Sequence, residues 1–362
     1  AALGDDFSDV RGAAATALRG FGSAAVERLT AVLADVGSSG REAAAGLLAD
    51  IGDEKAVEAL ADALTDRRAT VREAAAAALC RMGDPVVHPL VGLLSGPDAE
   101  ARRAAAGVLG IVGDERAVEP LVGALADPDW SVRRAIVGAL GEMKAVQAVT
   151  ALIATLAEDP DEDIRAAATL ALGTIADDRA VGPLVEALDT RSLTVRRAAA
   201  SALGSLGAVQ AVERLVANLT EDADEELKTA AAVALGKLGD SRAIGPLIGA
   251  FGDVSQVVRR VALDTLVTMG PVAVEQLNAA LRHADEQVRE RAADALSMIG
   301  ASAVEPLVTA LEDESESGRE AAAKALGESS DREAVEPLIK VLTDASAAVR
   351  ESAARSLGEV GD

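Results

Sequence analysis

Aromatic residues are almost absent from this chain: its 362 residues include three Phe, one Trp and no Tyr. Ala, Leu and Val must therefore form the core, which favours closely packed helices over a sandwich or barrel of β-strands. The single cysteine, Cys80, excludes an internal disulfide framework and fits a reducing compartment, so we expect a cytoplasmic protein. No apolar run approaches the roughly 18 residues of a membrane span, and no signal-peptide pattern opens the chain.

Basic residues are also scarce, since 35 Lys and Arg face 59 Asp and Glu and give a net charge of −24. Such a charge disfavours nucleic-acid backbones and anionic membranes as partners. Only six of the cations are Lys. Acidic excess, little Lys and abundant Ala are typical of cytoplasmic proteins from extreme halophiles, which is the origin we favour over a high-GC mesophile.

An internal repeat runs along the whole chain. A dipeptide of the Val-Arg type recurs every 30 to 32 residues, and we call its second residue the anchor. The twelve anchors are Arg11, Arg41, Arg72, Arg102, Arg133, Arg165, Arg196, Lys228, Arg259, Arg289, Arg319 and Arg350. A period of this length predicts an array of identical structural units.

Each repeat is predicted to be a pair of helices. In the repeat 114–144, apolar residues recur at helical spacing in both halves, and Ser131 is the expected cap of the second helix. Pairs such as Gly113-Asp114 join neighbouring repeats, because Gly suits a left-handed helix end and Asp caps the next helix. Stacking of these hairpins would bury their apolar faces.

The repeat motif VRRAAA.ALG.(I/L)GD.RAVEPL..AL.D is clear at 102–127, 165–189 and 228–253. It resembles the short HEAT-like repeats of phycobilin lyase subunits, and the resemblance covers essentially all of the chain. It implies an all-α, right-handed superhelical solenoid of about twelve hairpins, forming one array over 1–362. We expect the N-terminal repeat to be incomplete, and no capping repeat is evident, so we expect the chain to be part of a longer protein.

The resemblance also implies a ladder of ion pairs, in which an Asp of the turn inside each repeat bonds to an anchor Arg. We expect Asp127 to pair with Arg133 in this way. An Asp lies six residues before the anchor in nine repeats: Asp5, Asp35, Asp66, Asp127, Asp159, Asp222, Asp253, Asp313 and Asp344.

Catalytic motifs are not found. His88 and His283 lie six repeats apart, and the paired His-Glu motifs of HEAT-repeat deoxyhypusine hydroxylases are missing. Cys80 has no nearby His and is interpreted as a packed thiol. No glycine-rich phosphate loop occurs. We therefore predict a protein that is not an enzyme, with no catalytic, cofactor-binding or metal-binding residue.

Trp130 is the first candidate for binding a partner. It is the only Trp and lies in a turn inside a repeat, where it is either an exposed anchor for a partner or is folded onto a neighbouring hairpin. By contrast, Phe21 and Phe251 align with Leu, Met or Ile positions of other repeats, and we expect both to be core residues.

Arginines that directly follow an anchor are the second set of candidates. Second helices line the concave surface in HEAT-like arrays, and four of the central repeats place an Arg at this position: Arg103, Arg134, Arg197 and Arg260. This predicts a basic mid-groove that suits an acidic segment of a protein partner. The alternative is that these arginines pair with acidic residues of the chain itself.

These observations together favour a non-catalytic scaffold or adaptor that binds another protein through an extended concave surface. Two alternatives stay open, namely an accessory lyase or chaperone-type subunit that acts on a prosthetic group, and a regulatory subunit of a larger enzyme complex. The sequence identifies neither the partner nor the oligomeric state.

Overall fold

The computed structural model describes residues 2–329 and 331–361. Contacts divide it into two compact units, Ala1–Ala180 and Val181–Asp362, which are described separately below. In the described residues both units consist of α-helices and short 3-10 helices, without β-strands. The predicted all-α hairpin-repeat solenoid is therefore confirmed.

The first unit contains eleven of the described α-helices. They are α1 (Ser8–Phe21), α2 (Val26–Ala34), α3 (Arg41–Ile51), α4 (Val57–Asp62), α5 (Ala69–Met82), α6 (Val87–Leu93), α7 (Ala99–Val112), α8 (Val118–Gly123), α9 (Trp130–Glu142), α10 (Val149–Glu158) and α11 (Glu162–Ile175). Its 3-10 helices are Ala2–Gly4, Gly22–Ala25, Glu54–Ala56, Ala63–Thr65, Asp84–Val86, Glu115–Ala117, Val146–Ala148 and Asp178–Ala180.

The second unit continues the same alternation. Its α-helices are α12 (Val181–Ala187), α13 (Leu193–Leu206), α14 (Val212–Glu221), α15 (Glu225–Leu238), α16 (Ile244–Gly249), α17 (Gln256–Met269), α18 (Val274–Ala280), α19 (Glu286–Ile299), α20 (Ala301–Ala310), α21 (Glu316–Glu328), α22 (Val335–Val341) and α23 (Ala347–Gly361). Its 3-10 helices are Val209–Ala211, Ser241–Ala243, Ala250–Gly252, Gly270–Ala273 and Arg332–Ala334. Odd-numbered helices carry the anchors and are the second helices of the repeats.

Short-range polar contacts end one helix and begin the next. Gly113 takes the left-handed conformation after α7, and the Asp114 carboxylate accepts the backbone N–H of Arg116 at 2.8 Å. The prediction that Ser131 caps α9 is wrong. Asp129 is the cap, because it is the last extended residue and its carboxylate accepts the Ser131 N–H at 2.8 Å.

Leu, Val and Ala side chains fill the interior of each unit, and Phe251 is fully buried among them as predicted. The same prediction is wrong for Phe21, which is 67 % exposed. Phe21 ends α1, and none of the residues of α1 is buried. The helix contacts little besides α3 and the short helices on either side of it, so nothing covers this ring.

Several second helices carry a glycine eight residues after the anchor and contact their neighbour closely there. At Gly110 in α7, an added Cβ would lie only 2.7 Å from the Cα of Ala139 in α9. Because real Cβ atoms do not approach backbone this closely, the two helices owe their separation to the missing side chain. Neighbouring second helices also meet closely at the equivalent glycines Gly141, Gly204, Gly236 and Gly327.

Residues larger than alanine at the same position accompany a wider spacing of the helices. Cys80 takes the place of the glycine in α5, and α5 approaches α7 much less closely than α9 does on the other side of α7. Looser contacts between second helices also accompany Arg19, Val267 and Ser297. Alanine does not have this effect, since α3 carries Ala49 there and still contacts α5 closely.

The predicted ladder of ion pairs exists, but its partners are shifted by one repeat. Arg133 donates to the backbone carbonyl of Asp127 at 2.9 Å, whereas its Nε pairs with the carboxylate of Asp159 in the following repeat at 2.8 Å. The Asp127 carboxylate pairs instead with Arg102 of the preceding repeat. The expected Asp127–Arg133 side-chain pair is therefore wrong, because a stacked hairpin brings its turn next to the preceding anchor.

Among the described residues, six pairs of this type bridge consecutive repeats within the units. They are Arg41–Asp66 at 2.9 Å, Arg102–Asp127 at 2.6 Å, Arg133–Asp159 at 2.8 Å, Arg196–Asp222 at 2.6 Å, Lys228–Asp253 at 2.7 Å and Arg319–Asp344 at 2.8 Å. Both partners of each pair are largely shielded from solvent, which favours a structural role.

Candidate functional site

Second helices form the inner face of each unit, because they approach one another more closely than the first helices do. On α9 this face presents Trp130, Arg134 and Gly138, which follow one another at intervals of one helical turn. On the neighbouring α7 it presents Arg103 and Gly107. Arg103 and Arg134 thus lie on adjacent helices of one surface.

Arg103 and Arg134 differ in their electrostatic surroundings. The Arg103 guanidinium pairs with Glu100, one turn earlier in α7, at 2.6 Å. Arg134 is exposed and has no ion-pair or hydrogen-bond partner for its side chain among the described residues. In a chain with a net charge of −24, such a cation is a free binding group for an anion.

Trp130 is the first residue of α9 and is 54 % exposed. It lies one turn before Arg134, so the indole and the guanidinium occupy the same face of the helix. The neighbouring hairpins thus leave about half of this ring accessible, as an anchor for a partner requires.

The other two predicted arginines lie in the second unit. Arg197 in α13 makes three hydrogen bonds to the Asp224 carboxylate, at 2.8, 2.9 and 3.2 Å, and also pairs with Glu226. This contact holds the pKa of Asp224 below its usual range. Arg260 in α17 is exposed and has no side-chain partner among the residues described. Arg197 is therefore engaged within the chain, whereas Arg260 is available.

A cleft between α5 and α7 was not predicted from the sequence. Its volume is about 400 Å³, and it lies where Cys80 keeps the two helices apart. Its walls are mostly apolar, and Ile111 at its edge is 66 % exposed. The lining residues are Ala69, Arg72, Glu73, Ala76, Ala77, Cys80, Glu100, Arg103, Ala104, Gly107, Val108, Ile111 and Ala135.

Arg72 at one end of this cleft lacks a ladder partner. Its Nη1 donates to the backbone carbonyl of Asp66 at 2.8 Å, as other anchors do to their own turns. The next repeat has Gly96 where the ladder requires an Asp, so no carboxylate pairs with Arg72 in the described part of the chain. The missing Asp at position 96 and the Cys at position 80, where many other repeats have Gly, are the two signals in the sequence at this cleft.

The Cys80 thiol lines the cleft and is partly buried. Burial raises the pKa of the Cys80 thiol, which makes it less reactive at neutral pH. Over residues 2–329 and 331–361, no three His, Cys, Asp or Glu side chains are grouped so that they could hold a metal ion. In the same residues, no helix is long and apolar enough to cross a membrane.

A second depression, of about 330 Å³, lies among α19, α21 and α23. Most of its lining side chains are charged, and Lys324 pairs there with Asp294 and Glu328. Burial raises the pKa of Glu328. This acidic depression contrasts with the apolar cleft at α5 and α7.

Comparison with known proteins assigns the repeat. HEAT repeats match residues 1–80, 87–173, 149–236, 183–267, 244–314 and 304–362. The PBS lyase HEAT-like repeat matches residues 71–96. No curated protein matches the sequence.

Solved structures with the same architecture include Kap121p and importin beta. Kap121p is 14 % identical with a TM-score of 0.60, and 99 % of this chain aligns to 48 % of that one. Importin beta is 18 % identical with a TM-score of 0.50, and 99 % of this chain aligns to 54 % of that one. The chain thus spans about half the length of either. At these identities they show the fold alone, whereas the HEAT repeats matched along the chain show that it belongs to the HEAT-repeat family.

Proposed function

We propose that this protein is a non-catalytic scaffold or adaptor, and that the inner face of its first unit binds an acidic segment of a protein partner. The observation that carries this proposal is the pair of exposed side chains on α9. Trp130 offers an uncovered ring, and Arg134 one turn later offers a charge without a partner. Arg103 on α7 lies on the same face and is paired with Glu100.

The chemistry of these groups suits a carboxylate-bearing segment. A guanidinium grips a carboxylate through two parallel hydrogen bonds, which gives both attraction and orientation. An aromatic ring beside it contributes apolar contact area, and Trp and Arg are the residue types that most often dominate binding energy at interfaces. Local positive charge on an acidic molecule also steers an acidic partner to this face and away from the rest of the surface.

The fold itself is compatible with this role. One solved structure of similar architecture, 12 % identical with a TM-score of 0.55, is Kap121p bound to the extreme C-terminus of the protein phosphatase Cdc14p. A repeat array of this kind can therefore hold a segment of another protein. This likeness supports a segment as the ligand and does not identify the partner of this chain.

Photo-crosslinking tests the proposal without knowledge of the partner. Gly138 on the inner face and Gly123 on α8 both have open space where a side chain would extend, so each tolerates p-benzoylphenylalanine. We expect position 138 to crosslink to a protein in extracts of the native cell, and the sequenced adduct to lie in an acidic segment. The matched position 123 should not give this adduct.

Charge reversal then assigns the contact to the arginines. We expect Arg103→Glu with Arg134→Glu to abolish the crosslink at position 138 while circular dichroism stays unchanged. Reversal of Arg116 and Arg179, which pair with Asp114 and Asp177 respectively, should leave it intact. Adducts that are basic, or equal at positions 123 and 138, would exclude this face as the binding surface.

A further inference from the structure

The cleft between α5 and α7 has two chemically different ends. Arg72 lies near the N-terminal end of α5, and Arg68 immediately precedes this helix. Cys80 lies eight residues further along, where Ile111 of α7 forms the exposed apolar edge. At 1.5 Å per residue, the basic and apolar ends are about 12 Å apart.

The basic end lacks the carboxylate that comparable sites possess. Arg102 and Arg133, the next two anchors, each pair with an Asp of the following turn. Arg72 keeps only its carbonyl contact, because Gly96 supplies no side chain. The rim carboxylate of Glu100 is already paired with Arg103 at 2.6 Å. A carboxylate brought by a ligand would therefore take the position that Asp holds elsewhere in the ladder.

The apolar end has room for one large side chain. The volume of about 400 Å³ lies within the range of pockets that enclose small ligands. Its wall there consists of Cys80, Val108 and Ile111 together with alanines, and none of these groups requires a polar partner. A leucine or an aromatic ring placed there would bury apolar surface on both sides of the contact.

We propose that this cleft binds an extended segment of a partner protein that carries an acidic residue and, about four residues away, a large apolar residue. Four extended residues span about 13 Å, which matches the distance between the two ends. The proposal rests on the proposed function, since it assigns a specific sequence pattern to the acidic segment. The backbone of the segment runs along the cleft, with its carboxylate at Arg72 and its apolar side chain beside Cys80.

Disulfide trapping at Cys80 tests this with defined probes, because the chain has no other cysteine. The probe is the peptide Ac-Glu-Ser-Ser-Ser-Leu-Cys-amide, with its Cys activated as a mixed disulfide with cysteamine. Two matched peptides replace Glu by Gln or Leu by Ser. Each is equilibrated with the whole chain in the presence of 2-mercaptoethanol, and the modified fraction is read by intact-protein mass spectrometry.

We expect the adduct of the Glu–Leu peptide to withstand a concentration of 2-mercaptoethanol about five-fold higher than the adducts of the two matched peptides withstand. A five-fold difference is the effect of roughly one hydrogen bond or one buried side chain. Gly96→Asp supplies the missing ladder carboxylate. It should lower the concentration of 2-mercaptoethanol that the Glu–Leu adduct withstands to the value for the Gln peptide. Thr190→Asp places the same residue at the equivalent position in a distant turn and should change nothing.

Equal trapping of all three peptides would overturn the proposal. An advantage of Glu over Gln that survives Gly96→Asp would also overturn it, because the carboxylate would then be bound elsewhere than at Arg72. Failure of the proposed function has a different result, namely that positions 138 and 123 give the same crosslinks. If those crosslinks are specific and the peptides do not discriminate, the inner face binds its partner without using this cleft.

Discussion

Helix α7 has a close neighbour on one side and a distant neighbour on the other. Toward α9 it presents Gly110, and the two backbones nearly touch at Ala139. Toward α5 it faces Cys80, and a cleft of about 400 Å³ separates the helices. The two interfaces differ in this residue and in the ladder, so α7 shows side by side a closed interface and one that is open to a ligand.

The ladder shows the same contrast between these two interfaces. Between α7 and α9 the Arg102–Asp127 pair bridges the repeats at 2.6 Å. Between α5 and α7 the equivalent Asp is missing at Gly96, and Arg72 has no carboxylate partner among the described residues. The open interface has therefore lost two stabilising features together, namely the close helix contact and the ion pair.

The largest expected effect comes from a substitution at the close contact between α7 and α9. Gly110→Ala places a methyl group 2.7 Å from the Cα of Ala139 and must push α7 and α9 apart. We expect a loss of about 3 kcal/mol in the free energy of unfolding, at the upper end for overpacked cores. Urea denaturation followed by circular dichroism measures it.

Gly107→Ala is the matched control on the same helix. A Cβ at position 107 would meet no atom within 4 Å, so the change adds helix propensity without a clash. It should stabilise the protein by about 0.5–1 kcal/mol. If both substitutions change stability by the same amount, glycine at position 110 does not set the spacing.

Removal of a ladder carboxylate is the next largest effect. Asp127→Ala leaves the largely buried Arg102 without its two hydrogen bonds, at 2.6 and 2.9 Å, and should cost about 2 kcal/mol. Ala at the exposed Glu115 should cost less than about 0.5 kcal/mol.

Double-mutant cycles locate the partner of Asp127. We expect coupling of about 1 kcal/mol or more between positions 127 and 102, and clearly less between positions 127 and 133. The second pair shares only the backbone carbonyl of Asp127, which the substitution keeps. Stronger coupling to position 133 would contradict the ladder described above.

Restoring the missing carboxylate at the open interface is expected to have a smaller effect of opposite sign. Gly96→Asp should be more stable than Gly96→Asn by about 1 kcal/mol, because only the Asp supplies an ionised partner for Arg72. Both side chains meet the same close approach to the Leu93 carbonyl at 3.1 Å, so their difference isolates the charge. Equal stability of the two variants would show that Arg72 does not need a carboxylate.

Lowering the pH should remove the stabilisation that the ladder pair of Asp127 provides. Burial alone would raise the pKa of Asp127, but the hydrogen bonds from Arg102 and from the Asp129 N–H outweigh it and hold that pKa below its usual value. Since the folded state has the lower pKa, the contribution is complete above the unfolded value of about 4 and is lost as the pH falls. The stability difference between wild type and Asp127→Ala should therefore shrink between pH 7 and pH 3, and growth of that difference would contradict the assignment.

Much of the fold was predictable because it depends on local patterns. Helical periodicity and Gly-Asp pairs such as Gly113-Asp114 specify where each hairpin turns, and the structure confirms these turns. The wrong predictions, for Ser131 and Phe21, concern contacts that helical periodicity does not specify. Ser131 and Asp129 are both good caps, and only the backbone conformation selects Asp129. Phe21 has a core-like position in its repeat, yet its burial depends on a helix packing against it.

For the candidate site, the sequence found the positions and the structure decided their state. The residue after the anchor is exposed in Arg103, Arg134 and Arg260, as its place in the helical period requires. Whether each arginine is free depends on carboxylates that stacking brings near, and Arg197 is engaged by Asp224 for that reason. Sequence distance gives no measure of this proximity.

By itself, the sequence determined the hairpin, the repeat length and the residue types of the ladder, because each follows from periods and pairs within about 31 residues. Only the tertiary structure decided that Asp127 pairs with the preceding anchor and that Cys80 opens a cleft. Both outcomes depend on the distance between stacked helices, which is fixed by steric contact between residues of different repeats. Such contact exists only once the chain has folded.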